Sequence, residues 1–375
     1  MEIKSLKTEQ IPTLPEEILS RLPVKSLLKF RCVSRSWHSL IGSKKFIKTH
    51  LQNSTKNTNF THHKIISNFC PPQERLKHCS LHSLLYEPVT YGVPLDFDFD
   101  YPTNNREDSF HVVGCCNGLI CILVGGKHFY LWNPSTRESK KLPVIDNIIK
   151  WCFFVTKYGF GYDERNDDYK VFGLLSVFWH TGRYQSIGKI YSLKTNSWKN
   201  IDNFKDRSPF EQAGIFASGK LHWERKFGLN SRWDIVSFDL KNEVYEIVEQ
   251  PNYVGMCSSP KLEVLEGCLC VLYDYEKIGL EIWVMKNYGV KESWYKLMNV
   301  PNIYDLWRGS YSRLSSPLCI GSNGELVFTY GSTFVVYYPK DNRFQHPQIM
   351  NFVEFRGADV YVESLVSLVS DERQN

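Results

Sequence analysis

Apolar side chains recur at helical spacing in the first fifty residues. One stripe along a 3.6-residue period consists of Leu14, Ile18, Leu19 and Leu22. Pro23 ends this predicted helix, a second is expected to start at Val24, and a third to run from Ser34 to the C-cap candidate Gly42. The stretch 44–51 resembles a fourth helix. The sequence therefore predicts a small all-α domain of three to four short helices.

From Val112 onward the pattern changes to short alternating or apolar runs that are separated by turns. Five similar units can be aligned on the aromatic residues Trp132, Tyr191, Phe238, Trp283 and Tyr337. Hairpin turns recur at one relative place in several units, at Asn117-Gly118, Ser218-Gly219 and Asn323-Gly324. The period of roughly 45 to 60 residues fits four-stranded propeller blades better than a solenoid.

Closure of the predicted ring depends on the segments that flank the five units. Segments 82–99 and 357–369 both contain strand-like runs, and they are expected to form a sixth blade together. The predicted fold is thus a small helical head followed by an all-β, kelch-like propeller of five or six blades.

Composition restricts the class of protein. The 375 residues are 42% hydrophobic and 14% aromatic, which is ample for packed cores. No stretch resembles a secretory signal or a membrane span, so we expect a cytoplasmic or nuclear protein without a membrane partner. Eleven irregularly spaced cysteines do not suggest a disulfide framework.

The positive charge is concentrated in the helical head. Residues 1–50 contain ten Lys or Arg and four Glu, which gives them a net charge of +6. The whole chain has a net charge of +5, so the remaining residues are close to neutral. A small basic domain with apolar stripes indicates an acidic protein partner.

The run LPEEILSRLPVKSLLKFRCVSRSWHSLI resembles an F-box in its plant form. This resemblance implies that the head docks on the Skp-type adaptor of a cullin–RING ubiquitin ligase. The positions that match the motif are Leu14, Pro15, Ile18, Leu19, Leu22, Leu27, Leu28, Val33, Ser34 and Trp37. Trp37 and Leu40 equally suit the core of the head itself.

The remainder resembles the F-box-associated, kelch-type domain of plant F-box proteins, through the succession CCNGLI, WNPST, LP, GFGYD and DYKV. The predicted domains are an F-box at 11–50, a linker that leads into the ring at 51–80, and the propeller at 81–370. The resemblance implies a substrate-recognition subunit of an SCF (Skp–cullin–F-box) ligase, whose target is not identified by the sequence. Few contacts are expected to cross the linker, so residues 53–375 are predicted to fold alone.

Catalytic, cofactor and metal sites are not predicted. The acidic run Asp163, Glu164, Asp167 and Asp168 is the best candidate for paired carboxylates, but a hairpin turn uses the same residue types. His78, Cys79 and His82 lack the paired spacing of a zinc site. No nucleophile motif is present, so a non-catalytic adaptor is expected.

Target binding is predicted on long polar-aromatic connections at 177–188 and 302–316. The candidate residues are Trp179, Tyr184, Trp307 and Arg308, because Trp, Tyr and Arg dominate interface hot spots. Packing between blades is the competing explanation for the same side chains.

Two other functions remain open from the sequence alone. A basic helical head also suits a nucleic-acid-binding protein, although no helix face carries the Arg, Asn and Gln cluster of base readout. A propeller glycosidase or lectin would be supported by two facing carboxylates in the axial pocket. The F-box resemblance favours a protein partner over nucleic acid.

Overall fold

A computed structural model describes residues 16–69, 76–95, 110–145, 153–178, 184–201, 212–226, 233–252, 259–275, 279–301, 314–352 and 355–369. The helices of the head are α1 (Glu16–Leu19), α2 (Val24–Phe30), α3 (Arg35–Gly42) and α4 (Lys44–Thr55). A fifth helix, α5 (Leu81–Tyr86), lies between two strands. The prediction of a small helical domain is confirmed.

Serine side chains begin the two longest helices of the head. Ser34 Oγ accepts a hydrogen bond from the Trp37 amide at 3.2 Å, and Ser43 Oγ accepts one from the Phe46 amide at 3.2 Å. Gly42 is the last residue of α3, and Ser43 is both its C-cap and the N-cap of α4. The expected glycine C-cap is therefore wrong, because α4 follows without an intervening loop.

The strands follow in order along the rest of the chain. The first eight are β1 (His63–Phe69), β2 (Lys77–Ser80), β3 (Val89–Tyr91), β4 (Val93–Pro94), β5 (Phe110–Cys116), β6 (Leu119–Val124), β7 (His128–Asn133) and β8 (Glu138–Lys141). The next eight are β9 (Phe153–Asp163), β10 (Asp168–Phe178), β11 (Tyr184–Ser192), β12 (Ser197–Ile201), β13 (Gln212–Ala217), β14 (Lys220–Lys226), β15 (Trp233–Asp239) and β16 (Tyr245–Val248). The last ten are β17 (Ser259–Leu265), β18 (Cys268–Tyr275), β19 (Gly279–Met285), β20 (Trp294–Pro301), β21 (Leu314–Ile320), β22 (Leu326–Tyr330), β23 (Thr333–Tyr338), β24 (Arg343–Gln345), β25 (Gln348–Met350) and β26 (Phe355–Val362).

These strands form antiparallel four-stranded sheets. Within the described residues, four such sheets are separate: β5 to β8, β17 to β20, β21 to β24, and a sheet ordered β26-β1-β2-β4. The strands β9 to β16 form one eight-stranded sheet, in which two antiparallel sets of four are joined by a short parallel pairing of β9 with β13. Strands β3 and β25 form a separate parallel pair.

The sheets are arranged around an axis like the blades of a propeller. The first strands of successive sets, β5, β9, β13, β17 and β21, contact one another in order, and β26 contacts both β21 and β5. Four separate four-stranded sheets do not by themselves confirm the predicted five or six blades. The number of blades is not settled by the sheets because β9 to β16 are merged into one. In this sheet, strand pairing continues across a boundary where a gap between blades is expected.

The ring is closed by strands from both ends of the domain. Strand β26 pairs antiparallel with β1, from His63 opposite Val362 to Phe69 opposite Phe355. The closing sheet therefore uses strands from the segment 51–80, which the sequence assigned to a linker and the entry into the ring. The expectation that the 357–369 segment joins a sheet with N-terminal strands holds, but the main partners lie earlier than 82–99.

The apolar core lies between neighbouring sheets. Strand β6 is buried along its whole length because it is covered on both faces. Between the two halves of the eight-stranded sheet, the Phe172 ring lies 5.1 Å from the Trp223 ring and 5.4 Å from the Phe238 ring, measured between centroids. Such contacts hold successive sheets at fixed angles around the axis.

Two of the three predicted hairpin turns have the expected backbone, whereas at Asn323-Gly324 only the glycine has positive φ. Asn117 and Gly118, and likewise Ser218 and Gly219, have positive φ at both central positions. This is the backbone that two-residue hairpins prefer, because its twist matches that of the flanking strands. The Asn117-Gly118 turn also lies against the chain that follows β26.

Replacing Gly118 by alanine is expected to destabilise the protein more than the same change at Gly219. Both glycines have positive φ (+82° and +76°), so each change costs on the order of 1 kcal/mol in backbone strain. A Cβ on Gly118 would lie 2.2 Å from Ser364 Oγ and 2.6 Å from the Val362 carbonyl oxygen, whereas one on Gly219 meets nothing within 4 Å. Urea unfolding should show an additional loss of about 2 kcal/mol in the free energy of unfolding for Gly118→Ala. Equal losses would mean that the closing segment does not pack on this turn.

Candidate functional site

The four helices of the head enclose one small apolar core. Leu19 and Leu27 are fully buried in this core, and Trp37 is buried beside them. The Phe30 and Trp37 rings meet edge-on, with their centroids 5.4 Å apart. The remaining buried members of this core are Val24, Ile41, Phe46 and Leu365. The last of these residues belongs to the C-terminal segment of the chain, so the core of the head is completed from the other domain.

Two large apolar side chains of the head face outward. Ile18 is 47% exposed and Val33 is 50% exposed, and Leu22 and Leu28 are half-buried beside the core. A small domain that leaves branched aliphatic side chains exposed presents a surface suited to a protein partner. The same domain also carries basic side chains: Lys25, Lys29 and Arg35 are exposed, and Arg31 is half-buried.

Residues 363–369, which we name the joint segment, run from the ring to the head. Its backbone is fixed to the turn after β7: Asn133 Nδ2 donates to the Ser364 carbonyl oxygen at 3.1 Å and to the Val366 carbonyl oxygen at 2.7 Å. Glu138 accepts from the Leu368 amide at 2.8 Å. These contacts hold Leu365 in position to enter the core of the head.

Polar contacts join α4 to both domains. His50 Nε2 lies 2.9 Å from the Leu22 carbonyl oxygen, and Ser54 Oγ lies 2.6 Å from His62 Nδ1. The Glu363 amide donates to the His62 carbonyl oxygen at 2.9 Å. Burial lowers the pKa of both His50 and His62, so the two rings are neutral near physiological pH. The helix is thereby bonded to the turn that follows α1 and to His62, the residue before β1, and His62 is in turn bonded to the joint segment.

A cavity of about 1110 Å³ occupies the axis of the ring. Its walls come from the first strands of the sheets, including β5, β13, β17, β21 and β26. Residues 55–58, which end α4 and follow it, line the cavity together with Phe60 and His63. The head therefore lies at one mouth of the axial cavity.

Two of the carboxylates that line this cavity lie on strands separated by one other strand. Asp359 on β26 and Glu263 on β17 interact electrostatically although β21 lies between their strands in the ring. Enclosure by the ring, and then the charge of Glu263, raise the pKa of Asp359 to about 7, and Lys261 opposes this shift. Lys261 Nζ lies 2.8 Å from Glu263 Oε1 and donates to Ser316 Oγ at 2.8 Å.

Comparison with known families assigns both halves of the chain. Residues 16–49 match the F-box domain, and residues 60–364 match the family described as F-box associated beta propeller domain. The chain belongs to this family of F-box proteins. Proteins with an F-box are in general non-catalytic adaptors.

Relatives that this chain matches over most of their length occur in a plant. An F-box/kelch-repeat protein of Arabidopsis thaliana is 32% identical over 365 residues, which cover 94% of each chain. The F-box protein CPR1 of Arabidopsis thaliana is 30% identical over 340 residues, covering 80% of this chain and 76% of that protein. An oligogalacturonate lyase of Vibrio parahaemolyticus aligns at 10% identity with a TM-score of 0.38, over 78% of this chain and 80% of that one, which is too low to bear on function.

The residues predicted to dock the adaptor are distributed over three environments in the F-box. Leu19, Leu27 and Trp37 lie in its core, whereas Ile18 and Val33 are exposed. Leu22 and Leu28 are intermediate, and Ser34 is the N-cap of α3. Leu14 and Pro15 lie outside the described residues. The motif therefore contains residues that build the domain as well as residues that a partner can reach.

Most of the predicted target-binding residues lie outside the part of the chain that the structure describes. These are Trp179, Trp307 and Arg308. Tyr184 is the first residue of β11 and pairs with Phe178 at the end of β10. Target binding by these four residues stays a prediction.

The acidic run 163–168 forms the turn between β9 and β10, as the turn interpretation requires. Asp163 pairs with Lys170 at 2.9 Å, Asp168 accepts from the Lys194 amide at 2.9 Å, and Asp167 lies 3.1 Å from Lys48 Nζ on α4. Each of these three carboxylates thus has a structural partner. The last pair is a further contact between the F-box and the ring.

The histidines near α5 also have partners within the protein. His78 Nδ1 lies 2.7 Å from the Tyr361 hydroxyl, and His82 Nδ1 lies 2.7 Å from the Asn59 carbonyl oxygen. Over the described ranges, no three His, Cys, Asp or Glu side chains are grouped so that they could hold a metal ion. No helix in the same ranges is long and apolar enough to cross a membrane.

Sequence reasoning missed the joint between the domains. Residues 53–55 belong to α4, and Ser54 contacts His62, so the segment 51–80 is not a linker that few contacts cross. Leu365 lies in an apolar C-terminal run, and nothing in the spacing of that run predicts contact with helices that precede it by more than 300 residues. The one available signal was the small size of the F-box, which predicts that residues from outside the domain complete its core.

Replacing Leu365 by alanine is expected to loosen the F-box. A buried Leu→Ala change costs about 2 to 5 kcal/mol, and here the cavity would open between α-helices and the joint segment. Hydrogen exchange of residues 16–55 should therefore accelerate more than exchange in β17 to β20. Val369→Ala, at a 59% exposed position in the same segment, is the control and should change neither. Unaltered protection of the helices in Leu365→Ala would show that the F-box is stable without the joint.

Proposed function

We propose that this F-box protein is a substrate-recognition subunit of an SCF ubiquitin ligase. The F-box docks on a Skp-type adaptor, and the propeller binds the protein that is to be ubiquitinated. The observation that carries the proposal is the pair of exposed aliphatic side chains, Ile18 and Val33, on a helical domain whose core is already complete. Because these side chains belong to a domain that matches the F-box family, their exposure supports burial against a partner.

Charge supports the same docking surface. Lys25, Lys29 and Arg35 are exposed on the same small domain, and an acidic adaptor would be attracted by them. The ligase reaction itself is supplied by the cullin–RING partner, so this chain contributes position. We infer a cytoplasmic or nuclear location, where such ligases act on soluble targets, and we expect neither nucleic acid nor a membrane as partner.

We further propose that the target is bound on the side of the ring that faces away from the F-box. Turns between first and second strands lie on the F-box side, since Glu266 and Gly267 line the cavity with residues 55–58. Because neighbouring strands are antiparallel, the junctions from second to third strands, such as Phe178 with Tyr184, lie on the opposite side. That side is free of the adaptor complex.

A ring of six blades is the arrangement that we propose for the propeller. Division of the eight-stranded sheet at the short β9–β13 pairing gives two sets of four strands, which join the four separate sheets. The cyclic contacts of six first strands, with β26 as the sixth, support this count.

One observation favours a second function, a sugar-binding or glycoside-cleaving pocket. Asp359 and Glu263 are two carboxylates that line the axial cavity, and the raised pKa of Asp359 is typical of a general acid. Glu263, however, is paired with Lys261, which removes the free carboxylate that a nucleophile or base needs. The F-box assignment makes the adaptor function the stronger proposal.

Charged substitutions at Ile18 and Val33 are expected to abolish adaptor binding without unfolding the protein. Ile18→Asp and Val33→Asp each place a charge in an interface that excludes water, which should weaken binding by about a hundredfold or more. Co-purification with a Skp-type adaptor is the measurement. Leu19→Asp is a poorer test because Leu19 is fully buried and its loss would unfold the F-box.

The matched control is Ile247→Asp, at a 59% exposed isoleucine on the ring. This variant should bind the adaptor as the unaltered protein does. Adaptor binding that survives both F-box substitutions would contradict docking through this surface.

Alanine at Trp179, Tyr184, Trp307 and Arg308 is expected to reduce target capture. The test uses the Ile18→Asp background, in which a bound target accumulates because it is no longer delivered to the ligase. Proteins that co-purify with this variant are quantified with and without the four alanines, and circular dichroism checks folding. A set of captured proteins that does not change, from a folded variant, would exclude these residues from the target surface.

A further inference from the structure

Three histidines are buried where the F-box meets the ring. His50 lies on α4, His62 precedes β1 and His63 is the first residue of β1, and they are 0%, 3% and 7% exposed. The His50 and His62 rings are stacked, with their centroids 5.7 Å apart and their planes 14° from parallel. The Phe46 ring stacks on His50 as well, with a centroid distance of 6.4 Å. These imidazoles are therefore shielded from water by both domains.

The contacts of the rings suit neutral imidazoles. His50 Nε2 lies 2.9 Å from the Leu22 carbonyl oxygen, which can only accept, so this nitrogen carries the hydrogen. His50 Nδ1 and His63 Nδ1 are buried, and within the described part of the chain neither has a hydrogen-bond partner. A protonated imidazole carries N–H groups on both nitrogens, so protonation of either ring would bury a donor without an acceptor.

Charged groups around the histidines also disfavour the protonated form. Burial, then the nearby His50 and Lys64, lower the pKa of His62. Glu363 of the joint segment interacts with Lys64 and with Lys25 of α2, but burial raises its pKa, so it takes up a proton as the pH falls and then provides no negative charge. The described groups near the rings therefore do not stabilise an imidazolium.

Elsewhere on α4, the charged contact with the ring is already satisfied. Lys48 Nζ lies 3.1 Å from Asp167 Oδ1, and both side chains are substantially exposed. Such a surface pair contributes little to stability, so the buried histidine contacts carry more of the connection between α4 and the ring.

We propose that the stacked histidines are an acid-sensitive latch between the two domains: protonation of His50 and His62 detaches α4 from the ring and loosens the F-box. Two imidazolium rings 5.7 Å apart repel each other strongly in an enclosure that excludes water. His62 is bonded both to Ser54 near the end of α4 and to the Glu363 amide, so its displacement breaks both connections. The latch depends only on contacts within this chain, so it stands whether or not the proposed adaptor function is correct.

The direction of the pH effect follows from the proton balance. The pKa of His50 and of His62 is lowered in the closed protein, whereas an exposed histidine has a pKa of about 6.5, so the opened form binds more protons and acid favours opening. The latch is thus closed above about pH 6.5 and opens as the pH falls below that value. At pH 5.5, each histidine that stays neutral in the closed form increases the equilibrium constant for opening by about tenfold.

The test is hydrogen exchange of the full-length chain at pH 7.5 and pH 5.5, corrected for the intrinsic effect of pH on exchange. Protection of residues 16–55 should fall about tenfold or more relative to that of β17 to β20, because local opening of the F-box is coupled to proton uptake. The double variant His50→Gln/His62→Gln should reduce this loss by about tenfold or more, since a glutamine amide still donates but does not titrate.

The matched control is His222→Gln, which removes a buried histidine within the ring. His222 is 0% exposed, burial lowers its pKa to about 4, and it lies 3.1 Å from the Ile215 carbonyl oxygen and 2.7 Å from the Tyr288 hydroxyl. This variant should leave the acid response of residues 16–55 unchanged.

Equal loss of protection in the F-box and in β17 to β20 of the unaltered protein would overturn the proposal, and this comparison needs no variant. The same acid response of residues 16–55 in the double variant and in His222→Gln would also overturn it. If the double variant does not fold at pH 7.5, the single variant His50→Gln replaces it, with the same two outcomes. No adaptor is present in these measurements, so failure of adaptor docking would leave them unaffected and the two proposals are distinguishable.

Discussion

The pairing of β26 with β1 is the constraint on which both domains depend. It closes the ring, because it supplies the first strand of a sheet whose other strands lie almost 300 residues earlier. It also sets where the chain leaves the ring, so that the joint segment runs past Asn133 and Glu138 to the helices. Closure and support of the F-box are thus consequences of one strand register, and a shift by one residue would turn Leu365 away from its core.

The elements that the sequence predicts well are those whose evidence is local. Ser34 identifies the start of α3, and Asn117-Gly118 identifies a hairpin, because caps and tight turns depend on a few neighbouring residues. The exposed and buried positions of the F-box motif are less predictable. Ile18 and Leu19 are adjacent in one apolar stripe, yet only Leu19 reaches the core.

Features that join distant parts of the chain could not be predicted from spacing. Leu365 contacts the F-box, and Asp359 interacts electrostatically with Glu263, only because of how the ring closes. No local sequence pattern encodes the closure of the ring. The blade boundary between β12 and β13 could not be predicted either, because Gln212, Ala213 and Gly214 pair with β9 across it. Sequence periodicity reports the repeat of strands, but the breaks between sheets depend on tertiary packing.

The placement of Leu365 has a consequence for synthesis of the protein. A ribosome makes the F-box first, but the side chain that completes its core follows β26, the last strand of the ring. A nascent or prematurely terminated chain therefore carries helices without their last core residue. The F-box therefore reaches its complete core only after the propeller has been made, so its folding is coupled to synthesis of the whole ring.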